Sequence, residues 1–348
     1  MRRHYLELSS GREHKFYELT LDGPTLRVRY GRIGTDGQTQ HKTYPTEDAA
    51  LRDAEKKLTE KRRKGYTDAI MGEREKQKVT PPRITLPAVL KPYRARIEAT
   101  LKPAISLERA EGPTSPWSSK IGGVPYRELG QPWPTTREGL TLAFLAQLNF
   151  AELPHLHDFP SEGLAQFFLL DDDQMGCDFG EGGTLDEQPQ DTFRVIFHPT
   201  VTQDNSKLDP AVPEREWDCL PHDPSVEVPL RGELADDVIS AQDRLFDDLV
   251  GIDFLDETET DDGESLGDAR YYAYAEVTSL TSKVGGHANF TQNDPRGTED
   301  PHVLLFQLDS EPDLGVMWGD TGIANFFIRP DDLARLDFSR VYYNWDCH

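Results

Sequence analysis

Ser119-Lys120-Ile121-Gly122-Gly123 is the stretch on which the reading of this chain turns, because it returns as Ser282-Lys283-Val284-Gly285-Gly286. Two further segments return in the same order. Phe144-Leu145-Ala146-Gln147-Leu148-Asn149 reappears as Leu304-Leu305-Phe306-Gln307-Leu308-Asp309. Gly163-Leu164-Ala165-Gln166-Phe167-Phe168 reappears as Gly322-Ile323-Ala324-Asn325-Phe326-Phe327, with an Asp-Asp pair after each. The offsets are 163, 160 and 159 residues, so order and spacing hold together. Three ordered matches imply an ancient duplication into two similar halves, about residues 115–175 and 278–335, related by a pseudo-twofold axis. The repeated segments are short apolar runs bounded by Gly and Pro, the pattern of buried strands rather than helices. The duplication therefore reads as two similar β-rich halves.

Upstream of the repeat the chain changes character. Leu26-Arg27-Val28-Arg29-Tyr30 alternates apolar and basic residues, as a strand with one buried face does. Gly31, Gly34 and Gly37 supply turn positions, and Gln38 to Tyr44 resumes an extended segment, as in a hairpin. Thr46 then reads as a helix N-cap, with Glu47 and Asp48 in the first turn and Leu51, Ala54 and Leu58 as the buried stripe. Lys61-Arg62-Arg63-Lys64 suits the negative end of the helix dipole, and Gly65 suits the position after it. Residues 71–83 are polar and end near Pro81-Pro82, the composition of a linker. Leu86, Leu90, Tyr93, Ile97 and Leu101 recur at helical spacing, with Pro92 forcing a late start or a kink.

The run Tyr30-Gly31-Arg32-Ile33-Gly34-Thr35-Asp36-Gly37-Gln38, the helix after it and Glu60-Lys61-Arg62-Arg63-Lys64-Gly65-Tyr66 together resemble a WGR domain over residues 1–70. That resemblance implies contact with DNA near strand breaks, through a motif tryptophan on the sugar-phosphate end and an arginine on the phosphate. By position those roles fall on Tyr30 and Arg32. Tyrosine replaces the tryptophan here, a smaller stacking face that a sugar or base still accommodates. The implied nucleic-acid-binding set is Arg27, Arg29, Tyr30, Arg32, Gln38, Lys61, Arg62 and Lys64. Residues 84–348 resemble the YwqG-like family, through the two Ser-Lys-x-Gly-Gly segments, Met317-Trp318-Gly319-Asp320 and Tyr343-Asn344-Trp345-Asp346-Cys347. That family has no known function, so the resemblance implies no chemistry but an architecture, a mostly antiparallel β domain with flanking helices. The expected fold class is α+β, a small antiparallel sheet plus helix followed by that larger, internally duplicated domain.

Charge divides along the same boundary. Residues 1–110 hold 24 Lys+Arg against 15 Asp+Glu, and the remainder holds 14 against 47. The first part suits a polyanion and the second repels one, or serves solubility. Three scattered cysteines fit a reducing compartment, and no stretch suits a signal peptide or a bilayer span, so the chain reads as cytoplasmic with no membrane partner.

Within the larger domain, Lys120 and Lys283 sit beside Gly-Gly, where bare backbone admits a ligand or another chain. They either bind an anion or pair with Asp320 or Asp294, facing one central groove. Gln147 and Gln307 interrupt apolar runs and need partners if buried. Gln292, Asp294, Trp318 and Asp320 complete the ligand-binding candidates, on loops read as peculiar to the second copy. His155, His157 and Asp158, the acidic run at 171–173 and the run 256–264 lack metal-ligand spacing, and no cofactor is expected. The expectation is a non-catalytic protein that contacts DNA ends through the first unit and an unknown ligand or protein through the acidic one. The alternatives are an enzyme built from Lys120, Lys283 and Asp320, and a regulator whose acidic face blocks a basic partner such as a nuclease.

Overall fold

The computed structural model describes residues 2–10, 13–33, 35–69, 84–178, 188–260 and 263–348. The linker expected at 71–83, Gly34 and Asp262 lie outside the described residues. The chain divides into two compact units, Met1–Pro81 and Pro82–His348.

In the first unit, strands β1 (Arg2–Ser10), β2 (Glu13–Asp22), β3 (Thr25–Arg32), β4 (Gln38–Thr43) and β5 (Thr67–Asp68) form an antiparallel sheet in the order β4-β3-β2-β1-β5. Helix α1 (Glu47–Arg63) starts at Thr46, whose side chain accepts from the Ala49 amide at 3.2 Å. It buries Ala50, Ala54 and Leu58 against Leu6, Leu19, Leu26 and Val28; Leu51 lies at the margin of that stripe. The glycines of the β3–β4 turn are required by contact: a Cβ on Gly37 (φ +66°) would run into the Phe16 ring and the Tyr30 carbonyl.

The second unit opens with a 3-10 segment, Ala88–Tyr93, and a short α2 (Arg94–Ala99). The single helix expected here is split because Pro92 lacks the amide that an α-helical turn needs. The strands that follow are β6 (Lys102–Arg109), β7 (Lys120–Ile121), β8 (Ala143–Asn149), β9 (Leu164–Leu169), β10 (Phe193–His198) and β11 (Val228–Asp237). After α3 (Phe246–Leu249) and α4 (Leu266–Val277) come β12 (Lys283–Gly285), β13 (Val303–Asp309), β14 (Ile323–Ile328), α5 (Pro330–Ala334) and β15 (Tyr342–Asp346). All ten strands join one antiparallel sheet in the order β10-β9-β8-β7-β11-β6-β12-β13-β14-β15. Strands β8, β9 and β14 are buried along their whole length, which is why they read as continuous apolar runs.

The sheet curls until its ends meet. Phe167 on β9 touches Phe306 and Phe326 of the far half at 4.8 and 4.7 Å. Phe193 on one edge strand meets Tyr343 on the other at 5.3 Å. Gln188 bonds both the amide and the carbonyl of Tyr343, at 2.9 and 3.0 Å, linking the two edges.

Strands β7–β10 and β12–β15 repeat one another in detail. Lys120 pairs in register with Gln147 and Lys283 with Gln307, and the next ladders, β8 with β9 and β13 with β14, both shift register, between Phe144 and Ala146 and between Leu304 and Phe306. The two halves exchange their leading strands. Strand β6, which precedes the first half, pairs with β12, while β11, which precedes the second, pairs with β7. Strands β6 and β11 pair with each other along eight residues at the centre.

Candidate binding sites in the two units

In the first unit, strand alternation separates the basic residues onto two faces. Leu26, Val28 and Tyr30 turn toward α1, and register places Gln38 opposite Tyr30, Gln40 opposite Val28 and Lys42 opposite Leu26. Arg27 and Arg29 turn the other way. There Arg29 pairs with Glu18 at 2.7 Å and lies over the Phe16 ring at 4.9 Å, while Arg27 is exposed. The expected eight-residue interface is therefore not one surface. Arg32, two residues after Tyr30, shares the tyrosine's side of β3.

The α1 side carries a cleft of about 600 Å³ lined by Tyr17, Tyr30, Gln40, Lys42, Lys57 and Lys61 among others. The Tyr30 hydroxyl meets both Gln38 and Gln40 at 3.1 Å, which fixes its ring. Lys61 lies over the rings of Tyr17 and Tyr66 at 4.7 and 5.4 Å, and burial holds its pKa below the usual lysine value. Arg62 and Lys64 point elsewhere, into ion pairs with Asp68 and Glu60 at 3.0 and 2.8 Å. Gln40, Lys42 and Lys57 were not among the sequence candidates; the alternation Gln38-Gln40-Lys42 was the available signal.

In the second unit the two Ser-Lys-x-Gly-Gly segments are ion-pair boxes. Lys120 is buried and donates to Glu227 at 2.8 Å; Lys283 is buried and donates to Asp237 at 2.9 Å. Both carboxylates belong to β11 or the residue before it, one at each end. The second glycine of each pair leaves room for that carboxylate, since a Cβ on Gly123 would strike Glu227 and one on Gly286 would strike Asp237. Their φ angles of +73° and +74° independently favour glycine. Burial lowers the pKa of both lysines, against the pull of their carboxylates. Each lysine thus has its own acid, and Asp320 serves neither. It lies in an exposed turn where its carbonyl accepts from the His348 amide.

The other repeated polar residues clamp loops. The Gln147 carbonyl accepts from the Tyr126 amide at 2.8 Å, and Gln307 does the same for Asn289 at 2.7 Å. Ser119 accepts from the Asn149 amide at 2.9 Å and Ser282 from Asp309 at 3.1 Å. Gln292 is exposed and donates to the Cys347 carbonyl at 2.7 Å. Trp318 is fully buried beside Tyr343 and Trp345, so its face offers no ligand contact. Asp294 is a buried acceptor for Arg296 at 2.7 Å and Arg244 at 3.4 Å.

The loop carrying Asp294 is not peculiar to the second half. At the same offset of 163, Gln131-Pro132-Trp133-Pro134 matches Asp294-Pro295-Arg296-Gly297. The match holds in bonding: Trp133 Nε1 donates to the Leu142 carbonyl at 2.7 Å, and Arg296 Nη1 donates to that of His302 at 3.1 Å. In the first half this loop borders an open cleft of about 350 Å³, lined by Tyr126, Arg127, Trp133, Phe168, Arg194 and His198 among others. A larger cleft, about 800 Å³, is also bordered by Trp133 and carries Arg215 over the Trp217 ring at 4.3 Å, with Glu214, Glu216 and Asp223 on its walls.

Comparison with known proteins agrees with this division. Residues 2–73 match the WGR domain model, and residues 119–347 match the model described as a domain of unknown function, DUF1963. The chain is 33% identical over 57 residues to the uncharacterized protein YfeS of Escherichia coli K12, covering 16% of this chain and 23% of that protein. A crystal structure of a Bacteroides fragilis protein aligns at 32% identity over 20% of each chain, with a TM-score of 0.20. The chain thus spans less than a quarter of the relatives it matches. No helix among the described residues is long and apolar enough to cross a membrane. With two thirds of its length matched, the chain belongs to the DUF1963, or YwqG-like, family and carries a WGR domain ahead of that domain.

Proposed function

We propose that this is a binding protein whose WGR domain holds a nucleic-acid end in the cleft between α1 and β4, while the acidic DUF1963 domain takes a separate ligand. The observation that carries the first part is the convergence of Tyr30, Gln40, Lys42, Lys57 and Lys61 on one groove. A ring fixed by two glutamines stacks on a sugar or base, and ammonium groups around it neutralise phosphate. Residues 1–81 hold 18 Lys+Arg against 13 Asp+Glu, a balance that favours a polyanion. The internal contacts of Lys120, Lys283, Gln147 and Gln307 weigh against an enzyme built from these residues.

Fluorescence anisotropy of the full chain with a 5′-phosphorylated nicked duplex tests the reading. Tyr30→Ala is expected to weaken binding by about 1–3 kcal/mol, the range for loss of one stacking platform. Lys42→Gln is expected to lower the salt slope by about one counterion. Arg27→Gln, on the opposite face, is expected to change neither. Equal losses from Arg27→Gln and Lys42→Gln would move the site off this groove, and no binding at low salt would exclude the reading.

A further inference from the structure

The two halves of the DUF1963 domain treat one equivalent space differently. Register on the edge strands equates Arg194, opposite Phe168, with Tyr342, opposite Phe327. The loop match equates Arg127 with Phe290 and Trp133 with Arg296. In the second half these positions close up: Phe290, Arg296 and Tyr342 are all buried. The Arg296 guanidinium lies 5.8 Å from the Phe290 ring and 4.4 Å from the Phe327 ring, neutralised by Asp294 and Asp243. In the first half the ring and the guanidinium have traded places, with Arg127 5.7 Å from the Trp133 ring. Arginine stands where Tyr342 would fill the space, and the cleft is open.

The chemistry of that opening is unlike its surroundings. The acidic part of the chain holds 47 Asp+Glu against 14 Lys+Arg, yet among the described residues the cleft is lined by two arginines and a histidine and by no carboxylate residue. The Arg127 charge is offset by Asp209 at 2.7 Å, although its buried Nε has no partner. Among the described residues Arg194 is held by carbonyls, its Nε on Gln190 at 2.9 Å and an Nη on Thr135 at 3.3 Å, and it forms no ion pair; the nearby Glu128 carboxylate is bonded to the Tyr126 hydroxyl at 2.7 Å, on the His198 side of the cleft. His198 bonds Gln166 at 2.8 Å and packs edge-on against Tyr126 at 5.0 Å. Because the Gln166 amide group already donates to the Tyr126 and Gln147 oxygens, its carbonyl accepts from His198 Nε2, leaving Nδ1 as the imidazole's second polar atom. The rest of the lining is mostly apolar, with Trp133, Phe168, Ile196 and prolines beside Gln131 and Thr135. A volume of about 350 Å³ lies at the small end of ligand pockets.

We propose that this cleft of the first half binds a small, singly charged anion carrying a flat ring, the ring against Trp133 and the charge at Arg194. The second half supplies its own plug, Arg296 with two aspartates, and takes no ligand there. This inference is independent of the nucleic-acid reading, since it concerns the other unit.

The test uses the full chain at low ionic strength and three probes with the same ring, by calorimetry and ligand-observed NMR: 1-naphthoate, its neutral isostere 1-naphthamide and cationic 1-naphthylmethylamine. Naphthoate is expected to bind at least tenfold tighter than either of the others. Arg194→Gln is expected to lose at least tenfold in naphthoate affinity. Thr135→Trp, which adds a ring at the exposed rim, is expected to do the same and decides the matter if Arg194→Gln does not fold. Equal binding of the amide or amine, naphthoate binding unchanged in folded Arg194→Gln or in Thr135→Trp, or no saturable naphthoate binding would each overturn the proposal.

Discussion

The first and second halves of the DUF1963 domain share strand register, loop clamps and a buried lysine, yet they differ in how far each is sealed. Lys283 and its Asp237 partner are both nearly inaccessible, with side-chain exposures of 0% and 2%. Lys120 is as deep, at 2%, but its Glu227 partner is 33% exposed. The same contrast recurs around Phe327 and Phe168, packed in one half and bordering a cleft in the other. Shared residues in such a repeat maintain the scaffold, and the positions where the copies part company are where binding is to be sought.

The largest expected effect comes from breaking the more sealed ion pair. Lys283→Met leaves Asp237 buried with the His287 amide at 2.8 Å as its remaining donor, and is expected to cost about 3–5 kcal/mol in urea-induced unfolding. Lys120→Met is expected to cost less than half as much, because water reaches Glu227. Similar losses would erase the contrast between the halves. Adding Asp237→Asn to Lys283→Met is expected to recover part of the loss, since the stranded charge is then gone.

A second expected effect concerns pH. Burial pushes Asp309 up from 3.8 to about 6, whereas the matching residue of the first half is the neutral Asn149. The native state therefore holds more protons than the unfolded chain between those values, and stability falls as pH rises through that window. Asp309→Asn copies the first half and removes this loss. It is expected to raise stability by about 1–3 kcal/mol at pH 8 and to flatten the profile between pH 4 and 7. A variant less stable than the parent at pH 8 would show that the Asp309 carboxylate is worth more than its desolvation costs.

The sequence carried the repeat because Lys, Gln and the Phe-Phe pair each have a fixed position in a ladder, and ladders preserve spacing. The helix α1 was legible for a similar reason, as Thr46 caps it and Lys61-Arg62-Arg63 end it. What stayed hidden depends on contacts remote in sequence. Glu227 lies 107 residues from Lys120, and no local pattern marks it as that lysine's partner. The exchange of β6 and β11 between halves likewise leaves no periodic trace. The alternation in Leu26-Arg27-Val28-Arg29-Tyr30 already separates Arg27 and Arg29 from Tyr30, but grouping them by charge into one nucleic-acid-binding set overrode the pleat, which puts consecutive residues on opposite sides. The Trp133 loop was readable in principle, since Pro132 and Pro295 are in step; Gln131 against Asp294 and Trp133 against Arg296 concealed it.

The central claim is that one half of the repeat is open to a ligand where the other is filled by its own side chains. A crystal of the full chain soaked with 4-bromo-1-naphthoate tests it most directly, through the anomalous signal of bromine. The account predicts a peak beside Trp133 within reach of Arg194 and none over Phe327 beside Arg296. A peak over Phe327, equal occupancy at both places, or an empty first-half cleft at saturating ligand would contradict it.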